Sequence, residues 1–589
     1  MRFAFLTILL SIFLACAGDS KPASRPLEFN DAATSRKLGF VATCGTPAKV
    51  DIVETNGTGA AAADFDLDGD LDLFFAQGST LDAINAGGGA APELWLFDNQ
   101  QFLKLTTETT LQKTLGWWTG VAAGDADGDG DIDIYLCGYL KSVYLRNDTS
   151  QNAAGVPTVK FTDATRAAGL EDYGWATGAC WFDADGDADL DLYLVRYLEL
   201  DPKRPPRGTV GSLHLPCAWR GLPVFCGPRG FVATPDRFFK NQGGGTFVES
   251  TGDSGFDTAP ASYGLGVCPV DFDRDGDLDL YIANDSKANF LWRNDGGKFV
   301  ECAFETGVGL GEDGSTYAGM GVAADDATGD GCPEIVVTNF SDEPVSVYKN
   351  RLKAAPGFVT FDNISATSGV GAETMATLKW GVDLADFDLD GDLDLFIANG
   401  HVYPQADSPN TGTQYKQQNQ IFLNDGFGKF TLWRPSAGSP LLERRSHRAL
   451  ALLDFDDDGD CDILIIPVDG PAVLLENAAP LPSLGGRARA RILLQSKSKN
   501  TEAIGASVTL AAGGILQTRD VRRAGSYASS RDPRLCFGLG SAAEIDKIEI
   551  RWPGGKTETI PGAGLVNCNI TIVEGAGVVS KIPIRGAVK

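Results

Sequence analysis

The chain has 589 residues, 43% hydrophobic and 22% charged, which is length for three or four average domains and enough apolar content for a real core, so wholesale disorder is excluded. With 50 Lys and Arg against 78 Asp and Glu, a formal charge of −28, it is a poor general binder of nucleic acid, whose phosphates need basic residues in excess. Three histidines far apart in sequence (His214, His401 and His447) give histidine-based metal catalysis little to work with.

Residues 1–17 read as an export signal: Arg2, an apolar run from Phe3 to Ala15, then small residues. The run is too short and wrongly flanked for a spanning helix. Two cleavages fit. Phe13-Leu14-Ala15-Cys16 resembles a lipobox, which would make Cys16 a lipidated N-terminus and that lipid the only membrane attachment; Ala15-Cys16-Ala17 fits ordinary signal peptidase. The expected destination is the periplasm, the cell surface or the medium, all of which permit disulfides. Without Cys16 an odd number of cysteines remains; Cys217 with Cys226 is the first expected pair and Cys536 with Cys568 the second. Residues 18–28 read as a linker.

From residue 64 onward one Asp-rich nonapeptide recurs seven times, at intervals of 55–88 residues. Its polar positions 1, 3, 5 and 9 are Asp64, Asp66, Asp68 and Asp72 in DFDLDGDLD, and Asp125, Asp127, Asp129 and Asp133 in DADGDGDID. The third copy has Asp183, Asp185, Asp187 and Asp191, and the fourth Asp271, Asp273, Asp275 and Asp279. The fifth departs most, with Asp326, Thr328, Asp330 and Glu334. Asp386, Asp388, Asp390 and Asp394 form the sixth, and Asp454, Asp456, Asp458 and Asp462 the seventh. A Gly precedes each of the first six by five residues, and Ala449 stands there in the last.

Carboxylates packed this closely repel unless a cation sits among them. Ca²⁺ takes six to eight oxygens, and a Gly permits the sharp turn. The set supplies carboxylates at 1, 3, 5 and 9 and a backbone carbonyl at 7, which tolerates Cys332 there in the fifth copy. Position 12 is apolar (Phe75, Leu136 and Ile282, for example), so an EF-hand is excluded. The expected cofactor is Ca²⁺ at about seven sites.

Each nonapeptide runs into a strand-like stretch such as LDLFFA or LDLYIA, and a second element ends on a Phe after an Asn and a Gly turn. Those are Phe29, Phe102, Phe161, Phe247, Phe299, Phe361 and Phe430. Phe29 precedes the first loop and none follows the seventh. That offset predicts a closed ring: an all-β, seven-bladed β-propeller over 29–479, its last blade completed by the strand near Phe29.

The longest interval holds a Pro-rich insertion, 201–230, with Lys203, Arg204, Arg207, Arg220 and Arg229, Trp219 and the Cys217/Cys226 pair. It reads either as a partner-binding loop or as a flap capping the channel. Residues 485–575 read as a small β-sandwich and 576–589 as a tail. Over 485–560 there are 13 Lys/Arg and 7 Asp/Glu, so this module suits either docking on the acidic propeller or an anionic surface.

The loops resemble the FG-GAP or VCBS repeats of integrin α-chain propellers, which bind Ca²⁺. IGASVTL (504–510), AGSYASSRDPRLCFGLG (524–540) and IEIRWPGGK (548–556) resemble the ASPIC/UnbV domain, and NGHVYP (399–404) and CGP (226–228) look similar to segments of bacterial members. The combination resembles the cartilage acidic protein family, in which His usually stands where this chain has Cys536. The resemblance implies an architecture more than a reaction.

No catalytic constellation stands out: Gly309-x-Gly311-x-x-Gly314 lacks a βαβ unit, and metal loops already account for the carboxylate pairs. Two functions are expected. The first is an exported, Ca²⁺-stabilised binding or adhesion scaffold for an extracellular glycan or protein. The alternative is a propeller hydrolase or lyase acting on extracellular polysaccharide, which would need a deep channel lined by non-loop carboxylates, His401 and aromatics.

Overall fold

Each nonapeptide is the turn between the two innermost strands of one blade, because its Gly and Asp residues break an otherwise apolar run. The computed structural model describes residues 27–152, 155–200, 217–354, 359–478 and 486–584. The export signal with Cys16, most of the linker, and Arg204 and Arg207 of the insertion lie outside these residues.

Seven four-stranded antiparallel sheets follow one another around a ring. Their innermost strands are Ala60–Ala63, Trp117–Gly124, Ala176–Phe182, Gly264–Val270, Val322–Asp325, Lys379–Ala385 and His447–Leu453. The seven Phe residues singled out in sequence all lie, buried, on the outermost strands. Phe29–Asp31 pairs antiparallel with Val473–Asn477, placing Phe29 opposite Asn477, so the N-terminal strand closes the seventh blade.

At Gly120, Gly266, Gly321 and Gly381 the repeated Gly is explained by close approach of the next blade, whereas Gly59 faces the Ala528 carbonyl of the C-terminal segment. A Cβ on Gly266 would lie 2.3 Å from the Met320 carbonyl oxygen, and one on Gly321 2.2 Å from that of Trp380. No side chain fits at Gly266 or Gly321.

The C-terminal module packs two sheets face to face. One holds Leu535–Gly540, Ala488–Gln495, Cys568–Val573 and Gly577–Pro583; the other holds Ile515–Asp520, Ser507–Ala512, Ile545–Arg551 and Thr557–Pro561. Two expectations change here. The segment 576–589, read as a tail, supplies the edge strand Gly577–Pro583, paired to Cys568–Val573. The Cys536–Cys568 disulfide is absent, and both thiols are free. Cys536 lies opposite Arg491 and Cys568 opposite Ala490, on the two flanks of one strand. Two strand spacings, about 9–10 Å, separate them. Neighbouring residues also point to opposite faces, so no bridge can close.

The module docks on the metal-loop face, and its segment 522–532 enters the axis of the ring. Ser530 bridges to Ala61 of blade 1 and Ser526 to Val322 of blade 5. Tyr527, 1% exposed, packs its ring on Trp380 (4.9 Å) and donates its hydroxyl to the Asn56 carbonyl. Arg522 pairs with both Asp325 and Asp383 at 3.1 Å, and Arg531 with Asp383 at 3.0 Å. The excess of Arg in this module therefore meets the acidic propeller directly.

The opposite end is capped by the described part of the insertion. Its hairpin, Cys217–Trp219 with Leu222–Val224, carries the expected Cys217–Cys226 disulfide. Trp219 packs on His401 (4.7 Å) and Phe225 on Tyr403 (4.7 Å), while Arg220 pairs with Asp342 and donates to the Thr411 carbonyl. This half of the insertion is a flap.

Candidate metal centres

A nonapeptide turns back on itself through two left-handed residues. Position 4 has positive φ in all seven loops, at Leu67, Gly128, Gly186, Arg274, Gly329, Leu389 and Asp457. Position 6 does likewise, and there Gly is usual; Ala188 is the exception, at φ 69°. A Cβ in this region costs about 1–2 kcal/mol. Ala188→Gly is therefore expected to raise stability by about 1 kcal/mol in urea unfolding, and a destabilised variant would contradict this account.

The turn gathers carboxylates. In loops 1, 2, 3, 4 and 6 the carboxylates at positions 1, 3 and 9 each place an oxygen within 4.8 Å of the others, as in Asp64, Asp66 and Asp72. Position 1 is oriented by the loop backbone: Asp386 accepts the N–H groups of Asp390 (2.9 Å) and Gly391 (2.8 Å). Position 9 is held hardest. Asp133 accepts from Ala126 N–H (3.0 Å), Asn147 N–H (2.8 Å) and the Tyr144 hydroxyl (2.8 Å). Position 5 turns to its own loop, accepting the position 7 N–H in all seven copies, as Asp70 to Asp68 at 3.1 Å.

Several buried carboxylate oxygens have no hydrogen-bond partner: those of Asp127 and Asp185 at position 3, Asp271 at position 1, and Asp70, Asp131 and Asp460 at position 7. A buried, unpaired anionic oxygen is costly. A hard divalent cation that takes oxygen ligands would satisfy these, so the donor set fits such an ion. The clustered ligand atoms themselves come from positions 1, 3 and 9. Burial first, and then neighbouring carboxylates, push Asp386 up to about 8 and Asp131 to about 9. Asp72, Asp279, Asp394 and Asp462 are held well above the usual carboxylate range for the same reasons.

Loop 5 is built differently. Glu334 accepts from both the N–H (2.9 Å) and the hydroxyl (3.2 Å) of Thr328, so the longer acid folds back onto position 3. In loop 7 the C-terminal module intrudes: Arg491 donates to Asp454 at 2.7 Å, and Arg489 to Asp458 (3.2 Å) and Asp460 (3.1 Å). The same module touches position 1 in three further loops, through Thr501 on Asp125 (2.6 Å), Gly538 N–H on Asp386 (3.0 Å), and Arg551 on Asp271. Candidate ion sites and domain docking therefore share carboxylates.

A set of residues not singled out as ligands links the loops around the ring. Asn147, Asn241, Asn294, Asn350, Asn424 and Asn477 each donate a side-chain N–H to the position 2 carbonyl of the preceding blade's loop, as Asn294 to Ala184 at 2.8 Å. Blade 1 has Phe97 at this place, meeting Asp72 through its N–H (2.8 Å). The closing seam is accordingly aromatic: Phe97 stands edge-on to Phe455 at 5.9 Å, with the Arg36 guanidinium over Phe455 at 5.2 Å. The Asn before each Gly turn was visible in the sequence as turn chemistry; its reach across blades was not.

His401 is no general base. Its Nδ1 accepts the Tyr403 N–H (3.1 Å), Nε2 meets the Ser341 hydroxyl (3.3 Å), and burial pushes it down to about 3. The aromatics expected around a channel are present, but Tyr527 and Trp219 fill the two ends.

Residues 496–578 match the ASPIC and UnbV family, and residues 64–136 and 271–337 match the FG-GAP-like repeat. The chain is 25% identical over 509 residues to cartilage acidic protein 1 of Mus musculus, covering 74% of this chain and 70% of the relative. It is 24% identical over 509 residues to the Homo sapiens protein, covering 74% and 69%. Among solved structures, the Cps50 (Swd1) β-propeller domain of Myceliophteria thermophila is similar at 7% identity and a TM-score of 0.37, covering 76% of this chain and 99% of that one. The chain thus carries FG-GAP-like repeats and an ASPIC/UnbV domain, and is homologous to cartilage acidic protein 1 over 74% of its length.

Proposed function

We propose that a propeller of FG-GAP-like repeats joined to an ASPIC/UnbV domain serves here as an exported, calcium-loaded binding scaffold for an extracellular glycan or protein. The observation that carries this reading is the recurrence of one carboxylate cluster in loops 1, 2, 3, 4 and 6, with buried oxygens that a cation would satisfy. Ca²⁺ suits it better than Mg²⁺, because the ligands are rigid, numerous and anionic, whereas Mg²⁺ keeps most of its waters. The disulfide of the flap fits an oxidising compartment. Among the described residues no helix is long and apolar enough to cross a membrane. A ring whose axis is filled from both ends offers its faces and rim for contact rather than a channel for chemistry.

Calcium titration of metal-stripped protein by calorimetry tests this reading. The expected result is uptake of several ions per chain, reduced by one with each of Asp66→Ala, Asp127→Ala and Asp273→Ala. Absence of uptake would overturn it.

A further inference from the structure

On the ring face turned away from the C-terminal module, blade 6 carries a surface cleft of about 820 Å³. Its metal loop lies at the start of the strand Asp394–Asn399, and the cleft is built at that strand's other end. The connection 400–419 forms one side; the outer strand Phe430–Trp433 and the turn Pro440–Leu442 contribute to the other. The volume falls within the ~300–1,000 Å³ of small-molecule sites.

Three lining groups hold polar atoms that no described residue satisfies. Asn419 accepts the Asn399 N–H (3.0 Å) and His447 Nδ1 (3.0 Å) on its carbonyl oxygen. That oxygen can only accept, so His447 carries its proton on Nδ1, and burial keeps the ring neutral. Asn419 is therefore fixed in orientation, and its amide N–H₂ has no partner. Gln418 donates to the Leu442 carbonyl (2.9 Å), leaving its own carbonyl oxygen open. Trp433, half-buried at the rim, has an indole N–H without a partner.

The charges along the cleft cancel, Glu373 and Asp407 against Arg434 and Arg444, and Arg434 pairs with Glu373 at 3.5 Å. Such a site does not select an ion by charge. Amide donors and an acceptor held in place beside a half-buried indole match a molecule with hydroxyls around its edge and C–H groups on its face.

We propose that this cleft binds a neutral saccharide, Trp433 stacking on a sugar face while Asn419 and Gln418 hydrogen-bond its hydroxyls. The proposal rests on the scaffold reading above and names its ligand class and place. A peptide would instead pair along the outer strand Phe430–Trp433 beyond Phe430, whose N–H already donates to the Ser368 carbonyl, through main-chain hydrogen bonds.

The test uses the full exported chain, calcium-loaded, on an array of neutral and acidic oligosaccharides, with hits measured by calorimetry. At least one neutral oligosaccharide should bind, with little change in 0.5 M NaCl. Trp433→Ala should weaken it by about tenfold or more, and Gln418→Ala by about threefold or more, with calcium uptake unchanged. Should Trp433→Ala fail to fold, Trp433→Phe, which leaves a smaller aromatic ring and removes the N–H, should weaken binding together with Gln418→Ala. Wild-type affinity in these variants would overturn the site. No binding of any neutral oligosaccharide would overturn the ligand class. Neither result touches the scaffold reading, which fails only if calcium is not taken up.

Discussion

Stripped of divalent cations, the protein should melt far below its calcium-loaded temperature. Extracellular calcium modules bind at ~10⁻⁴–10⁻³ M, so with a Kd of ~0.2 mM and ~2 mM Ca²⁺ each filled site contributes about 1.4 kcal/mol. The five loops with the shared carboxylate cluster would supply about 7 kcal/mol, comparable to the ~5–15 kcal/mol by which domains are stable at all. Mg²⁺ at the same concentration should restore little of it.

The stripped protein should also respond to pH with the unusual sign. Its loop carboxylates are raised above their unfolded values, to about 6 for Asp66 and Asp183, about 8 for Asp386 and about 9 for Asp131. A group whose pKa is raised on folding binds its proton more tightly in the native state. Its stabilisation is complete below the unfolded value, near 4, and is lost as pH climbs through the folded values. Without metal, the melting temperature should therefore fall from pH 4 to pH 9. With saturating Ca²⁺, which needs the deprotonated acids, it should rise over the lower part of that range. Scanning calorimetry at several pH values reads both slopes. Equal melting curves with chelator and with millimolar Ca²⁺ would show that the loops are not structural calcium sites.

Arg522→Ala should be the most damaging single substitution outside the loops. The guanidinium is buried between Asp325 and Asp383, which belong to the innermost strands of blades 5 and 6. Removing it leaves Asp325 without its ion-pair partner, while Asp383 keeps only Arg531. Breaking a buried pair in this way costs about 3–5 kcal/mol. Because the same residue anchors the segment bearing Tyr527, the module should also loosen from the ring, and proteolysis should then release a C-terminal fragment near residue 486. A variant as stable and as protease-resistant as the parent would show that the axial segment is a passenger.

How the two units fit together was not legible from the chain alone. Docking on the acidic propeller was one of two readings of the basic module, and only the structure shows Arg522 reaching between blades or Arg491 arriving at Asp454. The flap had two readings for the same reason. A charge count says that a surface is attractive without saying which surface it meets, since Coulomb attraction alone does not select among many acidic neighbours. The second disulfide expectation failed likewise: proximity along the chain says nothing of which flank of a strand a thiol occupies.

What the sequence determined by itself was everything local and repeated. Seven nonapeptides, seven Phe residues and six glycines in constant register report short-range physics, namely a turn, a buried outer strand and a close blade contact, and their offset implied a ring closed by the strand at Phe29. Tertiary structure alone decided the non-local features: the Asn bonds from blade to blade, the aromatic seam at Phe97 and Phe455, and the plug at Tyr527. Those depend on residues tens to hundreds of positions apart meeting at one point, and a periodic sequence pattern carries no information on such meetings.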